Sequence, residues 1–584
     1  MKRIVCLMMI ILCSVTQAED FDKEHLPKLL GSNNSGTEFY LSFIVQFNVE
    51  TTAKTENRLF ISSVSETEVL IERKDKAFSK TIITKANEVI YVDLPDEVAQ
   101  PYIKISTKKP LPEDVMVGGA LHVKSNAPIV VYGVSKILLG GEGFLAIPVS
   151  VFGNEYITNT WNDPSTSNYI MGSWTNIVAA YDNTSIRFKL GGTSSTETSG
   201  GLKPGRTKQF EMNAGDVVCI GTASKNGDIT GSVSTGDRPF GVLSGVGCAF
   251  IPTGVWACDM IVSMELPTSS WGKIYPVSTI DGRSKSSFIR IVSKESNTTI
   301  YRDGLELGFI ETAGGINGRG WLSMRATQDS SKTVVISADK PVGVTQFNPG
   351  ANDDGANSDP FQMVLAPYEK YQNDITFHTP GVQDSSIGFL YNYVNIIYKP
   401  TEAGTIPDDL QIATFVDGNI EWKQLNAISS DPGKEFEYTI KGQRIFMKTY
   451  QLPGDGVYRI KANDPIGAYL YGMSKWDAYG YPASVALEET SGIPIKDKNK
   501  YPTTSLKLMP SPVRDVLIIQ NTGAALNTDK ISIIDLNGKT IFEEQINVLQ
   551  DRYEINTSTL INGMYILRIH LGDRIISEKF TVGR

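Results

Sequence analysis

Between residues 36 and 490 apolar and polar residues alternate in short runs. TEVLIE (67–72), TSIRFKL (184–190) and TTIYRD (298–303) follow the period of a half-buried strand. Asp182-Asn183 and Ser296-Asn297 supply turn chemistry ahead of two of these runs. Hardly any helical periodicity survives between the proline and glycine marks. The pattern therefore predicts short paired strands.

A larger period lies over this one. SNAPIVVYGVSK (125–136), GDRPFGVLSGVG (236–247), ADKPVGVTQFNPG (338–350) and NDPIGAYLYGMSK (463–475) each read as a strand opened by a polar turn and a proline. The prolines are Pro128, Pro239, Pro341 and Pro465, separated by 111, 102 and 124 positions. A second mark follows the first three copies: IPVSVFGNEYIT (147–158), LPTSSWGKIYPV (266–277) and APYEKYQNDITF (366–377). Each has an aromatic residue four places after its proline: Phe152, Trp271 and Tyr371. GTEFYLSF (36–43) matches the tail of this element. A period near 110 predicts one small domain per copy, with five to seven short strands in each. The fold class expected is all-β: tandem β-sandwich-like units at 36–146, 147–265, 266–365 and 366–487. A single propeller-like ring is the alternative, although about 100 residues is long for a blade.

The 584-residue length suits about four domains. The formal charge of −9, with pI near 5.3, argues against a nucleic-acid footprint, which needs a clustered basic face. Residues 1–18 read as a secretory signal peptide. Lys2 and Arg3 form its positive end, Ile4 to Cys13 its apolar run, and Ala18 its cleavage point. Losing it takes the formal charge from −9 to −11 and removes Cys6 and Cys13. No later stretch is long and apolar enough to predict a membrane span in the mature chain. Residues 19–35 read as an N-terminal loop. Residues 488–502, polar with two prolines nearby and a lysine cluster, read as a linker. Residues 503–584 form a different module, in which Asn537-Gly538 between apolar runs is a hairpin signal. A small Ig-like β-sandwich is expected there.

That module resembles the C-terminal sorting domain of the type IX secretion system. The residues that carry the resemblance are LMPSPVRDVLII (508–519), ISIIDLNGKTI (531–541) and INGMYILRIHLGDRIISEKFTV (561–582), with Ser511 in place of the usual Asn before Pro512. It implies export through the periplasm by the type IX machinery to the outer cell surface or the extracellular space.

The repeated region, about 36–490, resembles the N-terminal domain family of IgGFc-binding protein. The signature runs through Gly247-Cys248, Ile251-Pro252, Cys258-Asp259, Leu266-Pro267 and Trp271-Gly272-Lys273, with Met260 where the family carries His. That departure weakens any metal-binding role for the position. Cys248 and Cys258, ten apart across a Pro- and Gly-containing loop, are expected to form a disulfide. Its closure stabilises by roughly 3 kcal/mol in the chain-entropy model. Cys219, in GDVVCIGT, reads as a buried thiol.

Catalytic chemistry is hard to find. His25, His122, His378 and His570 show no ligand spacing. GEGFLA (141–146) has dinucleotide-like glycines but runs into IPVS, not a helix. A glycoside-hydrolase pair of carboxylates would come from distant strands, so acids such as Glu142 and Asp259 are candidates in name only. The loop 349–360 (PGANDDGANSDP) collects hard oxygen donors in Asn352, Asp353, Asp354, Asn357 and Asp359, a candidate Ca2+ loop without the EF-hand glutamate. Trp161, Trp174, Trp476 and Tyr479 stand near turns and are candidate ligand-contact aromatics, sheet corners being the competing reading. The expectation is an exported, non-catalytic, cell-surface binding or adhesion protein for glycoprotein or glycan ligands. The alternatives are a structural surface component and a secreted hydrolase.

Overall fold

The computed structural model describes residues 34–44, 56–101 and 113–487, apart from 138–139, 163–171, 224–226, 312–319, 330, 382–388, 417–418, 475–476 and 484. It also describes residues 506–583, apart from 511, 522–525, 529, 536–538, 547, 550–551 and 572–573. The expected signal peptide, most of the expected N-terminal loop, the expected linker, Trp476 and the expected Asn537-Gly538 turn lie outside the described residues. The chain divides into two compact units, Met1–Pro494 and Ile495–Arg584. Strands dominate both. Among the described residues no helix is long and apolar enough to cross a membrane.

One topology occurs four times in the first unit. Each copy is built on a long strand: Leu121–Ile137, Val233–Phe250, Val334–Asn348 and Val457–Ser474. The turn-and-proline mark lies in the middle of these strands, not at their start as the sequence suggests. In the second copy, 233–236 pair with Lys189–Ile186, whereas 240–246 pair with Ala179–Ser173. Residues 237–239, ending in Pro239, pair with neither partner. The same break precedes Ile129, Val342 and Ile466. Proline is tolerated there because the ladder asks for no N–H. The bend lets one strand serve two sheets, the corner device of sandwich folds.

A lead strand opens each copy and crosses the bend beside the long strand: Ser35–Leu41, Gly153–Ile157, Gly272–Val277 and Gln372–His378. The aromatic residue ahead of it covers a glycine two places past the corner proline. A Cβ at Gly241 would stand 2.7 Å from the Phe152 ring, at Gly343 2.7 Å from Trp271, and at Gly467 2.3 Å from Tyr371. These contacts explain the second sequence mark.

An inner strand closes each copy: Gly140–Leu145, Cys258–Met264, Phe361–Val364 and Asp477–Pro482. Every residue in them except Cys258 is buried. They pack in a closed cycle, first against second, second against third, third against fourth, and fourth against first. The four copies are therefore sandwich-like units closed around shared inner strands, which combines the two architectures the sequence leaves open. Equivalent side chains tie the neighbours. Asn176 Nδ2 donates to Phe43 O at 2.9 Å, Arg290 Nη1 donates to Thr160 O, and Asn395 Nδ2 donates to Thr279 O at 2.8 Å. Each reaches the carbonyl just past the preceding copy's lead strand. Between the fourth and first copies, Gly480 N donates to Glu142 Oε1 at 3.3 Å, and the Tyr132 and Tyr481 rings pack with centroids 4.5 Å apart.

The second unit holds sheets of three, two and four strands around Val513, Leu517, Ile519, Ile531, Ile533, Leu567 and Ile569. Lys530–Ile534 pairs with Gly563–Leu571, which pairs with Arg574–Val582, so the three resembling segments form one small β domain.

Candidate functional site

The turns from long strand to inner strand carry the residues that the sequence singles out. Two of the four are long. Residues 250–258 form the disulfide hairpin of the second copy, and residues 348–361 form the acidic loop of the third.

Cys248 and Cys258 are disulfide-bonded with Cα atoms 5.2 Å apart. Val255 N donates to Pro252 O at 3.0 Å, and Gly254 takes a φ of 85° that suits glycine. The clamped turn presents Trp256, which is 72% exposed. Its ring leans on Phe250, with centroids 5.8 Å apart. Gly350 N donates to Ile251 O at 2.7 Å, and a Cβ on Gly350 would stand 2.6 Å from Ala257 O. The acidic loop thus begins flush against the disulfide hairpin, and only glycine fits at the seam.

The candidate calcium donors are engaged otherwise. Asp353 accepts two bonds from Arg325 Nη2, at 2.7 and 2.8 Å. Asp354 pairs with Arg283 at 2.9 Å and accepts Ser284 N and Lys285 N at 2.8 and 3.0 Å. Asp359 accepts Ala351 N at 3.5 Å and faces inward. Arg283 also donates to Pro349 O and Gly350 O, at 2.8 and 3.1 Å. These bonds knit the loop to its own scaffold and are not arranged around a cation. Among the described residues no His, Cys, Asp or Glu group is placed to hold a metal. Asn352 and Asn357 stay exposed on the loop.

Three of the candidate aromatics are structural. Trp161 is buried between the second and third copies, with the Arg290 guanidinium 4.1 Å over its ring and Phe347 5.1 Å away. Trp174 is buried over Gly221, where a Cβ would meet the indole at 2.8 Å. Tyr479 is buried on the fourth inner strand, and its hydroxyl donates to Asn392 Oδ1 at 2.7 Å. None offers a face to a ligand, because each ring fills the space left by a glycine or a neighbouring copy. Cys219 is a buried thiol, and burial raises its pKa.

The residue that sequence reasoning passes over is Trp256. Its signal is position: a tryptophan between two cysteines, flanked by small residues in TGVWA, has no hydrophobic run to join.

Beneath these turns lie buried acids. Glu142 Oε1 accepts Gly143 N at 2.9 Å, and its Oε2 accepts Gln362 N at 3.2 Å. Asp259 Oδ1 accepts Met260 N at 2.7 Å. Asp477 pairs with Lys136 at 2.9 Å. Burial pushes all three carboxyl groups above the usual range. Just past the second inner strand, Glu265 accepts Ser244 Oγ–H and Asn159 N–H, the latter at 2.8 Å, and burial raises it to about 7.

A family model described as "IgGFc binding protein" matches residues 142–472, and one described as "Secretion system C-terminal sorting domain" matches residues 507–583. Human IgGFc-binding protein is 24% identical over 476 residues, covering 79% of this chain and 8% of that protein. The chain thus spans less than a tenth of the curated relative it matches. Among solved structures, dimeric latent PorU from Porphyromonas gingivalis aligns over 78% of this chain and 31% of its own, at 10% identity and a TM-score of 0.12. Sidekick-1 immunoglobulin domains 1–5 align over 94% and 98%, at 10% identity and a TM-score of 0.11. Likenesses at this level carry no argument.

Proposed function

The chain belongs to the IgGFc-binding protein family and ends in a type IX secretion sorting domain that sends it to the cell surface or the extracellular space. From that premise we propose that it is a binding or adhesion protein that recognises glycoprotein or glycan ligands without transforming them. The observation that carries the reading is Trp256, an exposed indole on a turn held by a disulfide on one side and by the Gly350 seam on the other. A rigid aromatic face loses little entropy on binding and stacks on sugar rings or anchors in a protein pocket. Exposed Asn352 and Asn357, on the loop seated against that turn, offer amide donors and acceptors of the kind that read hydroxyls. The non-catalytic part of the reading is supported by where the candidate acids lie: Glu142 and Asp259 are sealed among the inner strands.

The test is an array of glycans and glycoproteins, immunoglobulin included, probed with the full chain, Trp256→Ala and Asn352→Ala. The wild type should give a reproducible signal that falls at least about tenfold in Trp256→Ala, the scale of a hot-spot residue. Equal binding by Trp256→Ala would move the site elsewhere. Turnover of any array ligand would replace the reading with a hydrolase.

A further inference from the structure

We propose that the acids rooted beneath the hairpins, Glu142, Asp259 and Asp477, form a proton-linked latch that holds the repeats closed when uncharged and loosens their hairpin end when ionised. The latch concerns the fold itself and stands whatever the ligand.

The placement is systematic. Leu145, Met264 and Pro482 each pair with the residue four places past the corner proline: Tyr132, Leu243 and Tyr469. Asp259 and Asp477 each stand five residues before that point in their copies. Glu142 stands three before it in the first copy. The closed cycle of inner strands brings these separate acids together, so that the charges of Asp477 and Glu142 act on Asp259. All are sealed, with exposures of 0% for Glu142, 2% for Asp259 and 4% for Asp477.

Cations are too few for three charges, and Glu142 is met by the backbone N–H groups of Gly143, Gln362 and Gly480. From the first copy, Lys136 pairs with Asp477. From the third, Asp359 adds a further negative charge against Asp259, and Arg283, which faces Asp359, is already committed to Asp354 and two carbonyls. From the fourth, the Tyr481 phenol is kept protonated by burial. Asp259 Oδ2 and Asp477 Oδ1 have no hydrogen-bond partner. A buried, unpartnered oxyanion is among the costliest groups a core can hold, whereas the neutral acid is much cheaper.

The sign follows from the raised pKa values. The folded state keeps protons that the unfolded chain loses near pH 4. The stabilisation is fully present below that value and is lost as pH rises through the folded-state range. Each proton lost changes the opening equilibrium roughly tenfold per pH unit.

Hydrogen exchange of the full chain between pH 5 and 8, corrected for the intrinsic rate, reads this directly. Peptides over 245–262 and 470–483 should lose protection as pH rises. Asp259→Asn should flatten that dependence and protect both peptides at pH 8. If Asp259→Asn does not fold, Glu142→Gln tests the same point from the first copy. Protection that stays flat with pH in the wild type would overturn the latch, as would full dependence retained in both variants. Recovery at pH 8 on adding Ca2+, lost in Asp259→Asn, would also overturn it in favour of a cation site.

Discussion

Single side chains decide how closely the repeats approach. A Cβ at Gly153 would stand 2.2 Å from Pro267 Cβ, and one at Gly272 would stand 2.5 Å from Pro367 Cβ. Gly36 stands in the same relation to Pro148, at 2.4 Å. All three partners are proline ring atoms with little freedom, so Gly153→Ala should cost about 1–3 kcal/mol by overpacking, read as a lower denaturation midpoint. Trp161→Ala should cost more, about 3–5 kcal/mol, since it opens a cavity and strips the aromatic face from buried Arg290. Burial of Trp161 and Trp174 is only half legible in sequence: a tryptophan near a turn suits a corner and a surface equally. What separates Trp256 from them is exposure: its ring leans on Phe250 at the end of the long strand and still leaves most of its surface open, a degree of exposure that shows only once the hairpin is traced.

Elements tell a clearer story. The four proline marks identify four equivalent strands because proline needs a place where no ladder bond is made, and a bend supplies one. The sequence misplaces the strand start because a polar turn with proline looks the same before a strand as within a bent one. At the bend, Pro239→Ala should cost about 1–2 kcal/mol: residues 237–239 pair with neither partner strand, so no ladder bond is lost, but the buried ring carbons and the backbone stiffness are. The disulfide hairpin behaves differently. Replacing Cys248 and Cys258 by serine should lower stability by roughly 2–3 kcal/mol. It should also weaken ligand binding more than it shifts the melting temperature of the rest of the chain, because Trp256 would lose its rigid mount. Array affinity beside calorimetry checks both. The acidic loop illustrates a limit of composition. Its clustered carboxylates read as calcium donors until Arg283 and Arg325, about 70 and 28 positions away in sequence, are seen to meet them.

At the scale of the molecule, the number of copies is written in the chain but their closure is not. Closure rests on pairs such as Glu142 with Gly480, between segments with no shared pattern. The two compact units have separate cores, with the second built wholly from residues after 506. Residues 495–584 should therefore unfold in a transition of their own in scanning calorimetry of the full chain.

Closure also sets an order in time. The inner strand of the first copy is synthesised early, yet one of its flanks stays bare until Gly480 arrives 338 residues later. Local pairing within each copy can proceed as the chain emerges, but this last joint must wait and then search over a long span. Pulse-labelled refolding should find the amides of 140–145 and 477–482 acquiring protection together and last. Until that moment the unfinished chain carries an apolar seam, and the interval is when it is most exposed to misassembly.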